Sequence, residues 1–116
     1  MLLYVCIAMT TVIHTTPLDE RIGVDKLAKV SELLRVTAHP QRLAILDALR
    51  HHERMCNREL QQLLGLEQAI LSQHLTLMKD RGILTCHKEG KFTFWEVKRT
   101  ELLNVLDCLE NCCPNI

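Results

Sequence analysis

The sequence predicts a mainly α-helical fold with one small β-hairpin, paired into a dimer through its first and last helices. Three observations predict it. Apolar residues recur at helical spacing in blocks from Asp25 to Met78 and again after Thr100. Two β-rich runs flank Glu89-Gly90, the composition of a hairpin turn. The terminal helices carry wider apolar stripes than a small domain needs for its own core, which points to burial against a second copy.

Residues 1–24 are read as a flexible lead-in, with Pro17 and Gly23 as breakers. The run LLYVCIAM near Met1 is too short to span a bilayer and lacks a basic leader, so a cytoplasmic protein with no membrane partner is expected. Met9 is an alternative start. Asp25 is placed to cap a first helix carrying Leu27, Val30, Leu33 and Leu34. His39-Pro40 breaks it, because proline fits a first helical turn but disfavours helix in the residue before it. A second helix from Gln41 to Arg50 follows, with the stripe Leu43, Leu46 and Leu49 and Ile45 beside it. Arg50, His51 and His52 close it, where positive charge suits the helix dipole.

Residues 59–84, ELQQLLGLEQAILSQHLTLMKDRGIL, hold a short helix, a glycine turn, a longer helix and a glycine stop. That is the pattern of a helix-turn-helix DNA reader. Leu60, Leu63 and Leu64 are expected on one side of the first helix, and Gly65 supplies the positive φ at which the chain turns. Leu71, Leu75 and Met78 dock the second helix inward, leaving Gln68, Ser72 and Gln73 outward as uncharged groups able to reach base edges in a major groove. His74 has two open readings, a DNA contact or a packed core residue. Gly82 ends the helix. Strands over Ile83–Lys88 and Phe92–Val97 then form a hairpin in the position of a wing, with Lys88 and Lys91 at its tip to meet phosphates. Thr100 caps a last helix with Leu102, Leu106 and Leu109 as its stripe and Leu103 and Val105 widening it.

The 116-residue chain is one domain's worth, expected over residues 25–113 with a tail at 114–116. Formal net charge is zero, which argues against nonspecific coating of nucleic acid. Charge is uneven, however: residues 72–99 hold six basic residues and three acidic ones, and residues 100–116 hold only acidic ones. No nucleophile with an orienting base appears at readable spacing, so no enzyme is expected.

Taken together, LLRVTAHPQRLAILDALR, LGLEQAILSQHLTLMKDRGIL and KEGKFTFWEV resemble the ArsR/SmtB family of dimeric winged-helix repressors over roughly residues 25–110. The resemblance implies a homodimer on double-stranded DNA bearing an inverted repeat, released when a metal, metalloid or oxidant reaches a sensor site. It puts Gln68, Ala69, Ser72 and Gln73 on base-facing positions and His74 on the family's common histidine. It also implies departures. The family's C-terminal-helix metal positions carry Arg99, Glu101, Cys112 and Asn115 here; its Cys-x-Cys pair is reduced to Cys56 with Arg58; its second-helix redox cysteine is Asp47.

Six cysteines in a chain with a full core are read as reduced thiols. Cys108 and Cys112 lie one helical turn apart, with Cys113 adjacent, and soft thiolates select thiophilic metal or metalloid ions or undergo oxidation. Cys108, Cys112, Cys113 and Cys56 are thus the candidate sensor residues, against the reading that they are small apolar side chains filling an interface. Cys86 alternates with Leu84 in a strand and packs. The competing functional reading is a thiol-based metal-handling or redox protein on the same scaffold that binds no operator.

Overall fold

A computed structural model describes residues 17–112. The apolar run at Met1, the alternative start Met9, Cys6, Cys113 and the tail at 114–116 lie outside the described residues. The described residues divide between Glu32 and Leu33 into two compact units.

In the first, Pro17 precedes a five-residue helix, α1 (Leu18–Ile22), within the stretch read as lead-in. Gly23 ends it at φ 99° and donates its N–H to the Asp19 carbonyl at 2.8 Å. Helix α2 (Val24–Thr37) begins at once and crosses the division. Asp25, expected as its cap, stands inside its first turn, where its charge still complements the helix dipole. No residue from 17 to 32 is buried.

The second unit holds the core. His39 caps α3 (Pro40–His52): its extended backbone and its Nδ1, accepting from the Gln41 N–H at 3.1 Å, satisfy one of the donors that a helix start leaves unpaired. Proline takes the first helical position, where it has no N–H to lose. The helix buries Ile45, Leu46, Ala48 and Leu49, while Leu43, expected in the stripe, is only partly buried against the core. After His52 the chain makes a γ-turn. Glu53 sits at φ 61°, ψ −57°, and the Arg54 N–H reaches the His52 carbonyl at 2.6 Å.

That turn delivers Met55 and Cys56 as a two-residue strand, β1. Helix α4 (Asn57–Leu64), Gly65 at φ 67° and helix α5 (Gln68–Asp80) complete the helix-turn-helix. The α4 stripe differs from expectation. Leu60 is fully buried and Leu64 packs on the core, but Leu63 is exposed, because three residues advance the chain 300° around a helix and carry it off the buried line. Helix α5 ends in a Schellman motif: Gly82, at φ 77°, donates to the Lys79 carbonyl and Ile83 to the Met78 carbonyl. Both Ile83 and Met78 are wholly buried, so the motif also closes the core.

Strands β2 (Leu84–Glu89) and β3 (Phe92–Val97) pair antiparallel from Leu84 opposite Val97 to Glu89 opposite Phe92, leaving Gly90-Lys91 as a two-residue turn. β1 adds to the other edge of β3, Met55 opposite Trp95 and Cys56 opposite Phe94, giving a sheet in the order β1-β3-β2. The wing is therefore tied back to the start of the helix-turn-helix. Trp95, the chain's one tryptophan, locks the junction: it is buried and donates its Nε1–H to Asn57 Oδ1 at 2.6 Å.

The last helix, α6 (Glu101–Cys112), buries Leu102 and Leu106 and leaves Val105 and Leu109 exposed. The Ile83 carbonyl accepts from both Lys98 and Arg99 N–H groups just before it. Arg50 holds the helix from outside the core. Its guanidinium bonds Asp107 and Asp47 at 2.5 Å each and Glu110 at 2.9 Å. This half-buried hub joining α3 to α6 replaces the simple helix-end role expected of Arg50; burial opposes its charge, and the hydrogen bonds and charges of Glu110 and Asp47 more than offset that and raise its pKa.

Candidate nucleic-acid interface

The front of α5 is set by its back. Leu71, Leu75 and Met78 are at most 1% exposed, so the helix can neither rotate nor slide without opening the core. Gln68, Ala69 and Gln73 are consequently exposed and Ser72 is half-exposed, all on the first two turns. These are the sequence-predicted base-facing residues, brought to one surface.

His74 goes the other way. It is 8% exposed and sits in a polar network beneath α5. Arg42 donates its Nε–H to His74 Nδ1 at 3.1 Å, so that nitrogen carries no proton; Nε2 carries it and lies 2.7 Å from Gln41 Oε1. The His39 ring lies tilted at 56° with its centroid 4.8 Å from that of His74, and Arg42 also donates to the Val36 carbonyl at 2.9 Å. Burial first, then the charges of His39 and Arg42, push the His74 pKa below its ordinary value. Of its two readings the packed one describes its setting, as an anchor between α3 and α5.

Lys88 and Lys91 are exposed on the hairpin, where the left-handed Gly90 makes the tight turn. The strands below the tip are stiffened by Arg54, which donates to Glu89 Oε2 at 2.6 Å, lies 3.3 Å from His87 Nε2 and stacks over the Phe94 ring at 4.1 Å. The Glu89 carboxyl is held below the usual range, chiefly by the hydrogen bond from Arg54. Nothing in the local pattern of the sequence marks Arg54, which acts across 35 residues.

The candidate sensor cysteines separate. Cys56 is buried in β1 and turned into structure: its backbone N–H donates to Glu59 Oε1 at 3.0 Å, forming half of a capping box at the start of α4. Hydrogen bonds from the Cys56 backbone and then its side chain hold the Glu59 carboxyl below its ordinary pKa. Cys86 is half-buried opposite Trp95. Cys108 and Cys112 are exposed on α6 with their Sγ atoms 3.8 Å apart. Among the described residues no three His, Cys, Asp or Glu side chains are grouped to hold a metal ion, and no helix is long and apolar enough to cross a membrane.

A helical core, a recognition helix with a polar front and a β-wing define a winged helix-turn-helix domain. The model of the family described as bacterial regulatory protein, arsR family, matches residues 39–85, from the cap of α3 into β2. The biofilm growth-associated repressor of Xylella fastidiosa is 33% identical over 97 residues, 80% of this chain and 84% of that protein. The cadmium resistance transcriptional regulatory protein CadC of Listeria innocua is 28% identical over 78 residues, 67% of this chain; the match spans 66% of that regulator's length, just under two thirds. The structure of reduced HlyU from Vibrio cholerae superposes with a TM-score of 0.71 at 30% identity, covering 83% of this chain and 98% of that one. The chain belongs to the ArsR family.

Proposed function

We propose that residues 25–113 form a homodimeric, cytoplasmic repressor domain that binds an inverted-repeat operator and lets go when a thiol-directed effector reaches α6. The observation that carries the DNA half is the exposed row Gln68, Ala69, Ser72 and Gln73, rigidly backed by the core and flanked by the wing cations Lys88 and Lys91. Glutamine side chains suit adenine edges, serine suits either kind of base, and the lysines suit phosphates. Support for the dimer comes from α6, whose Val105 and Leu109 stay exposed at spacing i, i+4 next to Cys108 and Cys112. A two-fold protein then matches a two-fold operator.

The effector half rests on the thiol pair. Two Sγ atoms 3.8 Å apart on an exposed helix face can be bridged by a thiophilic ion or by oxidation with small side-chain movement, and Cys113 adds a third thiol in sequence. An effector seated where two copies meet changes the dimer arrangement, and operator affinity follows through the linkage between the two sites. CadC carries cadmium resistance in its name, in keeping with a soft-ion effector. A gel shift on DNA upstream of the protein's own gene tests both halves. Binding is expected in reductant and release on adding cadmium, arsenite or oxidant. Absence of any shift at low salt sinks the DNA reading, and unchanged release in the separate Cys108→Ser, Cys112→Ser and Cys113→Ser variants sinks the thiol reading.

A further inference from the structure

The cations of the second unit sort into two groups. Arg50, Arg54 and Arg99 are ion-paired, Arg42 is engaged by His74 and the Val36 carbonyl, and Arg35 and Arg81 are engaged as well. Arg58, Lys79, Lys88, Lys91 and Lys98 make no ion pair or side-chain hydrogen bond among the described residues. Of these, Arg58 and Lys91 share a setting: both line one open cleft where the first turn of α4 and the first turn of α5 meet the hairpin tip. Asn57, Gln61, Gln68 and Thr93 supply its polar walls, and no carboxylate lines it.

Two uncompensated cations among neutral hydrogen-bonding groups suit an oxyanion with several acceptor oxygens. The scaffold around Arg58 is stiff. Asn57 beside it is pinned by Trp95, and Leu60 one turn on is fully buried. Gln68, the first base-facing candidate, lines the same cleft, so a chain of phosphates passing through it would run alongside the bases that α5 reads.

We propose that this cleft seats the sugar-phosphate backbone of bound DNA, with Arg58 as a phosphate contact that sets the register of α5 and reads no base. The inference rests on the DNA-binding reading above. It gives a role to the residue standing where the resemblance puts the second cysteine of a Cys-x-Cys pair: a half-lost sensor position carries a charge turned to the operator instead.

Anisotropy titrations with a labelled duplex from upstream of the protein's gene, at salt from about 50 to 200 mM, test it. For Arg58→Gln the slope of log affinity against log salt becomes shallower by about 0.9, the value for one lost phosphate contact. The order of preference among single base-pair variants of the duplex stays as in the wild type. Arg58→Lys restores the slope, and Arg99→Gln, which removes a cation already paired with Glu101, leaves it unchanged. Because Arg58 is exposed, a thermal melt of Arg58→Gln matches the wild type and excludes misfolding as the cause. A wild type that binds while Arg58→Gln keeps the full slope, or loses base preference instead, overturns this inference alone. A wild type that binds no duplex overturns the operator reading and this one with it.

Discussion

Cys56 and Cys108 carry the same thiol into opposite surroundings. Cys56 lies 6% exposed at the root of the wing, its backbone in a strand and its N–H on Glu59, so the group that could react is already part of the frame. Cys108 stands on the outer face of a terminal helix beside a second sulfur. A frame that holds a recognition helix in place gains from being closed to chemistry, whereas a switch must be reachable and loosely enough attached to move. The attachment differs to match. The helix-turn-helix and the root of the wing bury six side chains, Leu60, Leu71, Leu75, Met78, Ile83 and Leu84, to 2% exposure or less, while α6 contributes two at the edge of burial and leans on the ionic hub at Arg50.

The largest break in this contrast comes from Leu75→Ala. Removing a wholly buried leucine under the recognition helix is expected to cost about 2–5 kcal/mol, read as a lower midpoint in urea unfolding. A loss under about 1 kcal/mol would mean that α5 is not pinned from behind. Next come the cysteines themselves. Cys56→Ser places a hydroxyl in a nearly dry site and is expected to destabilise by about 1–3 kcal/mol, against no more than about 0.5 kcal/mol for Cys108→Ser. Brief alkylation of the folded, reduced protein followed by mass spectrometry should mark Cys108 well before Cys56. Equal labelling would erase the distinction between frame and switch.

The smallest effect is in pH. His74 has its pKa lowered by burial and nearby positive charge, so the unfolded chain takes up a proton at a pH where the folded one does not. The stability contributed by neutral His74 is whole above about pH 6.5, the ordinary histidine value. It is lost as pH falls from there through the lowered pKa. Urea unfolding at a series of pH values should show that decline, and His74→Gln should flatten it; an equal decline in the variant would place the titrating group elsewhere.

Much of the frame was legible in the residue pattern. Helical spacing located α3, α4, α5 and α6 to within a residue or two, and Gly65, Gly82 and Gly90 marked the turns, because local periodicity and positive φ leave local traces. What escaped was non-local or too short. A two-residue strand such as Met55–Cys56 has no period to read, and it exists only because β3 offers an edge. The sharp turn after α3 carries Glu53 where glycine would have announced it. Leu63 reads as apolar but faces out, and the side His74 takes is set by Arg42 and Gln41, more than thirty residues away in sequence. The exposure of the α5 front follows from spacing alone; that Cys56 joins no group of three His, Cys, Asp or Glu side chains among the described residues does not, since it depends on what the fold brings near.

The hydrogen bond from Trp95 to Asn57 makes the molecule its own instrument. With a single indole in the chain, placed where hairpin, edge strand and helix-turn-helix converge, every ultraviolet emission spectrum is a report on whether the wing is seated. An effector or a duplex that shifts the hairpin by an ångström at its root should move that band, with no dye attached and no residue replaced.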